Sequence, residues 1–210
     1  MPSPTFSGHD VTRQFEAALC AYTGAKYAVT TTSCTMAILL AASWFSSHPG
    51  RRYRSVRFLT IPKRTYVGVP ASLIHAGYSL NWSDERWEGE YQIDPLPLWD
   101  SARRFRQGMF KAGHMQCISM HWSKILGLSQ GGAILHDDDR ADAWLRKMRF
   151  DGRTEGVRAC DDKITLLGYH AYLSPEVAAH GLMKLATLPS YNADLPKDIY
   201  PDCSKMRAFR

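Results

Sequence analysis

LWDSARRF (98–105), CISMHWSKILGLSQGGAILHDDD (117–139) and RKMRFDGR (146–153) are the segments whose reading decides the fold of this chain. The first is an apolar run that ends in an acid, Asp100. The second is an apolar run that ends in a lysine, Lys124, framed by Ser119 and Ser123 and followed by Gly131 and Gly132. Short apolar runs bounded by polar and glycine-rich stretches read as buried strands. The acid and the amine are therefore each delivered at or just beyond a strand end.

Working outward, strands and helices alternate. The patterning predicts helices over 11–23, 35–45, 69–76, 139–150 and 175–188, and strands over 27–31, 56–61, 79–82, 96–99, 116–121 and 132–136. Such alternation implies an α/β fold, a mostly parallel sheet with flanking helices. Ligands of such sheets lie at the carboxyl ends of the strands, where Thr35, Tyr66, Asp100 and the 119–124 segment fall. Either charged residue alone says little, since most lysines are solvated surface charges. Their order at strand ends suits pyridoxal phosphate: a carboxylate to keep the ring nitrogen protonated and an amine to hold the aldehyde carbon.

Upstream, FEAALCAYTGAKYAVTTTSCTMAILLAA (15–42) reads as helix, strand, turn and helix, with a Ser/Thr cluster at the second helix start. Ser33, Cys34 and Thr35 there suit a phosphate at a helix N-terminus. Ser33 and Thr35 equally suit simple capping. IPKRTYVGVPASLIHAG (61–77) is a strand ending in a threonine and Tyr66 before a helix, and GYHAYLSPEVAAHGLMKL (168–185) leads into the last helix.

Together these segments resemble the DegT/DnrJ/EryC1/StrS sugar aminotransferase family of pyridoxal-phosphate fold-type I, as a shortened member. The resemblance implies that Lys124 carries the cofactor, that Asp100 meets its ring nitrogen, and that Ser33, Cys34, Thr35 and Ser119 surround its phosphate. It implies that Tyr66 stacks on the ring, although an ordinary buried tyrosine is the alternative. It also implies that His170 reaches the phosphate bound by a second subunit of a homodimer, and that a keto-sugar of a nucleotide-sugar is aminated with glutamate as donor. His121, next to Lys124, suits proton transfer or the orientation of its neighbours; Trp122 suits the core as well as the site.

The chain departs from the family in several places. Cys34 replaces a glycine, which sets the backbone further from a phosphate. His170 stands for an asparagine, and Tyr172 for an arginine. Arg103 replaces a Gln or His near the cofactor's phenolic oxygen. Only 96–99 remains of a longer family insertion before Asp100, and 189–210 stands where a second, smaller domain follows in the family. The expected organisation is a cofactor-binding large domain over 1–188 and a short tail over 189–210. Lys124 argues against the family's dehydratase branch, which has histidine there. Arg64, Arg103 and Arg153 are equal candidates for binding a donor carboxylate. An enzyme acting on another substrate, such as a modified nucleoside or base, and a non-catalytic remnant of the fold are the competing functions.

Composition agrees with one sizeable core: 210 residues, 45% hydrophobic and 22% charged. Five dispersed cysteines without C-x-x-C spacing support neither a disulfide framework nor a zinc site. The opening MPSPTFSG has no basic and apolar leader pattern. No apolar run is long enough to span a bilayer. A cytoplasmic, reduced protein is the expectation. The net charge of +6 and the basic clusters at 51–57 and 101–106 would attract phosphates, nucleic acid included, but no nucleic-acid-binding motif accompanies them.

Overall fold

A computed structural model describes residues 8–48, 53, 55–196 and 200–209. The elements in chain order are α1 (Gly8–Thr23), β1 (Tyr27–Thr31), α2 (Cys34–Ser47), β2 (Phe58–Pro62), α3 (Gly68–His75) and β3 (Ser79–Ser83). There follow β4 (Tyr91–Gln92), β5 (Leu98–Asp100), β6 (Met115–Ser119), β7 (Gly132–His136), α4 (Asp139–Met148) and α5 (Pro175–Ala186). Single 3₁₀ turns at Cys203–Lys205 and Arg207–Phe209 end the described chain. The basic cluster at 51–57 falls partly outside the described residues.

The α/β architecture with flanking helices holds, and the expectation of a mostly parallel sheet needs correction. The main sheet has the order β1-β7-β6-β5-β4, and β2 and β3 form a separate parallel pair. Within the main sheet only β5 and β6 pair in parallel; β1/β7, β7/β6 and β5/β4 are antiparallel. The reason lies in the connections. A parallel neighbour needs a crossover, usually helical. Residues 120–131 between β6 and β7 contain no helix, and 93–97 between β4 and β5 form only a tight hairpin. Each of these links turns the chain straight back.

Strand direction nevertheless favours a site at one edge. β1, β5 and β6 run the same way, with β7 reversed between β1 and β6. Thr60 of β2 meets Asp94 in an antiparallel bridge, its amide 2.8 Å from the Asp94 carbonyl and the reciprocal bond 3.2 Å. That bridge orients β2 and β3 with β5. The C-terminal ends of five strands and the start of β7 therefore share one edge.

Alternation divides the sheet's side chains between two faces. Val29, Cys117 and Ile134 pack with α2, α3 and α4 on one face. Ala28, Ile118, Ala133 and Leu135 pack with α1 and α5 on the other. In α1, Val11, Phe15 and Leu19 follow the helical period and line that second core. Gly181 of α5 lets the helices close up: a Cβ there would lie 2.5 Å from Phe15 Cζ.

A buried ionic cluster locks α1, β1 and α4 together. Glu16 accepts from Arg149 and, at 2.7 Å, from Arg146, and it also takes the Thr30 amide (2.9 Å) and hydroxyl (2.7 Å). Arg149, from the sequence's Arg-x-x-Gly segment, is 1% exposed and additionally bonds the Thr30 carbonyl and Glu155. Burial alone would raise the Glu16 pKa; Arg149 and Arg146 outweigh it and bring it down to about 2.

The described part of 189–210 is docked against the rest of the fold. Gln107 N–H donates to the Ser190 carbonyl, Leu195 N–H to that of Arg103, and Cys203 N–H to that of Lys63. Cys203 is fully buried.

Candidate functional site

The C-terminal strand edge opens into a cleft of about 250 Å³ to which well-separated segments of chain contribute. Ser33, Cys34 and Thr35 come from the turn after β1, Tyr66 from beyond β2, Asp100 from the end of β5, and Ser119, His121 and Lys124 from beyond β6. Of the ten residues that the sequence reading assigns to cofactor binding or catalysis, eight thus meet in one place.

The floor is set by β-ladder register. Thr31, Gly132 and Ser119 lie side by side across β1, β7 and β6. Asp100 stands opposite Cys117, two rungs further into the sheet. Gly132 is obligatory here, because a Cβ would lie 2.4 Å from the Cys34 nitrogen. Its absence lets the start of α2 settle onto the sheet edge.

Ser33 is the N-cap of α2, with extended backbone and its Oγ accepting from the Met36 amide at 3.1 Å. It thus performs the capping role. The Cys34 and Thr35 amides of the first turn lie beyond the reach of intrahelical acceptors. The Cys34 thiol points to the sheet, 3.6 Å from the Cys117 carbonyl oxygen. Burial pushes its pKa well up, so it is a neutral wall of the cleft.

Asp100 is 3% exposed. Its Oδ1 accepts the Ala102 amide at 3.0 Å, and the Tyr91 hydroxyl also bonds the carboxylate. Tyr91 in turn shares a 2.6 Å hydrogen bond with Thr65 Oγ1. Burial raises the Asp100 pKa more than the amide, the hydroxyl and the Lys124 charge lower it. The carboxylate is poised to gain from a nearby cation.

Lys124 is half-buried on a loop pinned from below by the buried Met120, Leu126 and Leu128. Its amide bonds the His121 carbonyl at 2.8 Å, and Leu128 N–H closes back on Met120 at 2.9 Å. His121 is exposed; its Nδ1 lies 2.9 Å from Ser123 Oγ and takes the Ser123 amide at 3.4 Å. Those contacts leave Nε2 as the nitrogen carrying the proton in the neutral ring. Tyr66, 55% exposed, stands at the mouth, and Trp122, 72% exposed, is not part of the core.

Two residues from the sequence lie outside this cleft. Arg103 is buried but lines a neighbouring cleft, donating to the Pro196 carbonyl and to the Tyr200 hydroxyl (3.3 Å). His170 is exposed, its Nδ1 2.8 Å from Asp151 Oδ2 and its ring 4.9 Å from that of Tyr172. Among the arginine candidates, Arg153 is engaged with the Val157 carbonyl at 3.1 Å and lies over the Phe150 ring. Arg64 lines the neighbouring cleft with Arg103.

Sequence reasoning missed Trp87 and Tyr200, which wall both clefts, and Tyr91 behind Asp100; it noted Thr65 at its strand end but not its bond to Tyr91. Only Tyr91 carried a signal, as an aromatic in the short apolar segment before Asp94; nothing in the sequence announced Tyr200.

Comparison with known proteins bears on the whole arrangement. A family model described as the DegT/DnrJ/EryC1/StrS aminotransferase family matches residues 2–95 and 106–197. The segment left between them, 96–105, holds Asp100 and Arg103, so their placement rests on the geometry above. The fold is similar to that of the sugar aminotransferase CalS13 from Micromonospora echinospora (20% identity, TM-score 0.70, 85% of this chain and 60% of that one). It is similar to Helicobacter pylori PseC, an aminotransferase involved in the biosynthesis of pseudoaminic acid (18%, 0.71, 85% and 58%). It also resembles the GDP-4-keto-6-deoxymannose-3-dehydratase ColD with bound GDP-perosamine (18%, 0.68, 86% and 61%). At these identities the likeness is one of fold. The chain spans about 60% of the length of the solved structures it matches. No curated protein matches the sequence.

Proposed function

The chain belongs to the DegT/DnrJ/EryC1/StrS aminotransferase family, and on that premise we propose that it is a pyridoxal-phosphate-dependent aminotransferase. Its acceptor is the keto-sugar of a nucleotide-sugar and its donor is glutamate. The observation that carries this reading is the convergence of a buried acid, a half-buried lysine and a helix N-terminus in one cleft.

The residues present fit the cofactor. The Cys34 and Thr35 amides, with Ser119 beside them, would receive its phosphate at the start of α2. Tyr66, Ile38 and Val69 offer apolar surface to a flat ring. Asp100, whose charge burial leaves under-compensated, would hold the proton of the ring nitrogen. When bound, pyridoxal phosphate supplies an electron sink that acidifies the hydrogen on the carbon bearing the amine. Lys124 would anchor it through its amine and would carry that proton. His121, braced by Ser123, orients the Lys124 turn through its carbonyl rather than exchanging the proton itself.

The site is shared between two copies in this reading. His170 is exposed, held by Asp151 and absent from its own chain's cleft, which suits a residue offered to a neighbour. Leu167, 95% exposed, and Ile164, 53% exposed, leave apolar side chains uncovered in the segment leading to His170. ColD is a dehydratase, and Lys124, in place of the histidine expected of that branch, favours transamination here.

Borohydride reduction of the protein incubated with pyridoxal phosphate, followed by peptide mapping, tests the assignment. Label is expected on Lys124 and nowhere else. Label on another lysine, or none, overturns it. Addition of glutamate to the loaded protein should shift the cofactor spectrum to that of the aminated form; indifference to glutamate removes the donor assignment.

A further inference from the structure

A second cleft, of about 420 Å³, adjoins the first and shares Trp87 and Tyr200 with it. Four cations line it: Lys63, Arg64, Arg86 and Arg103. Asp84, Glu85 and Glu88 also line it, so the charges nearly balance by count, and placement decides what the cleft can hold. Lys63 and Asp84 neutralise each other as an ion pair. Glu85 and Glu88 are exposed and can turn to solvent. Among the described residues the Arg64 guanidinium donates only to the Tyr200 carbonyl oxygen, at 3.4 Å, and forms no ion pair. Arg86 makes neither an ion pair nor a hydrogen bond among them.

Four arginines elsewhere in the fold have a different fate. Arg104 and Arg106 sit in the basic segment at 101–106, yet they are taken up by Glu90 and Asp194. Arg146 and Arg149 are taken up by Glu16. Arg64 and Arg86 keep guanidinium donors available beside the Lys124 cleft. Guanidinium forks match the oxygens of carboxylates and phosphates.

The partition between the clefts is rigid and flat. Trp87 Nε1 donates to the Arg64 carbonyl at 2.9 Å. The indole stacks near-parallel with Tyr200 (5.9 Å, 12°) and tilts against Tyr91 (4.8 Å, 59°), whose hydroxyl bonds Asp100. A ligand crossing from one cleft to the other would run along aromatic surface.

We propose that the second cleft is an oxyanion site, in which Arg64 and Arg86 hold the multiply charged far end of an extended substrate whose reacting end lies at Lys124. The oxyanion is a diphosphate or a carboxylate pair. The position of the reacting end rests on the proposed function; the oxyanion site itself does not.

Titration calorimetry with inorganic pyrophosphate and with glutarate tests this, on the protein as purified and again saturated with pyridoxal phosphate. Saturation keeps either probe out of the α2 N-terminus. At least one probe should bind with unit stoichiometry. Arg64→Gln and Arg86→Gln should each weaken it about tenfold, the size of one lost charge-assisted hydrogen bond. Both side chains are exposed, so the variants should melt like the parent. Arg158→Gln, remote and paired with Asp161, should leave affinity unchanged. Loss of pyrophosphate binding identifies a phosphate end, and loss of glutarate binding a dicarboxylate end. Equal affinity of parent and double variant for both probes, or no binding of either at millimolar concentration, overturns the proposal. Arginine-dependent probe binding by a protein that fails to label on Lys124 would remove the proposed function and leave the oxyanion site standing.

Discussion

Glu16 and Asp100 are each 3% exposed, and burial pushes both carboxyl groups toward the protonated form. Their surroundings then treat them in opposite ways. Glu16 has Arg146 and Arg149 against it and two donors from Thr30, and its pKa falls to about 2. Asp100 has one backbone amide, one tyrosine hydroxyl and the more distant charge of Lys124, and its pKa stays raised. The first carboxylate is closed off as a cross-link between α1, β1 and α4. The second is left open toward a cleft. A buried charge that its own fold under-compensates is a marker of a ligand-binding position.

Breaking the closed cluster should have the largest effect. Glu16→Gln leaves Arg149, 1% exposed, with only Glu155 as an ionic partner. A loss of about 3 kcal/mol is expected in urea unfolding. The parent should show the same contribution in acid. Because the folded pKa lies below the ordinary value of 4.5, the stabilisation is complete above about pH 4.5 and is lost as pH falls toward 2. A parent whose stability is flat across that window would contradict the assignment.

Asp100→Asn probes the open charge, and its sign is reversed. A raised carboxyl pKa destabilises the ionised form, so the parent loses stability from this group as pH rises above the ordinary carboxyl range. Without cofactor, the variant should be more stable than the parent by about 1 kcal/mol at neutral pH. It should also hold pyridoxal phosphate at least tenfold more weakly. A destabilised variant would mean that Asp100 is a second cross-link and not an open charge. The smallest effect sharpens the role of the α2 start. Ser33→Ala removes the cap on Met36 and should cost about 1 kcal/mol in thermal unfolding. A hydroxyl used only for capping would leave cofactor affinity within a factor of two.

These differences explain what sequence could and could not convey. Asp100 and Lys124 were legible because each terminates an apolar run, and β7 lay where its unbroken apolar run placed it. Strand direction was not legible as pairing, since it depends on whether a link turns straight back, as 120–131 does, or crosses over without a helix, as 101–114 does between the parallel β5 and β6. The two-residue β4 is too short to leave a periodic trace. Arg103 and Arg104 are adjacent in sequence, yet one lines a cleft and the other is neutralised by Glu90 and Asp194. Their fates are set by acids and carbonyls distant along the chain. Trp87 and Tyr200 meet across more than a hundred positions, a contact no local pattern encodes.

The bridge between Thr60 and Asp94 has a mechanical meaning for the cleft. One wall, with Thr65 and Tyr66, hangs from the β2/β3 pair; the other, with Asp100, Ser119 and Lys124, hangs from the five-stranded sheet. Among the described residues these two sheets share a single rung of backbone hydrogen bonds. Side-chain clasps across that seam therefore bear on the gape of the cleft, among them the 2.6 Å contact of Thr65 with Tyr91 and the 2.9 Å bond from Ser72 Oγ to the Thr35 carbonyl. A change at Thr65 or Tyr91 would alter how wide the jaws stand, while both ladders stayed intact.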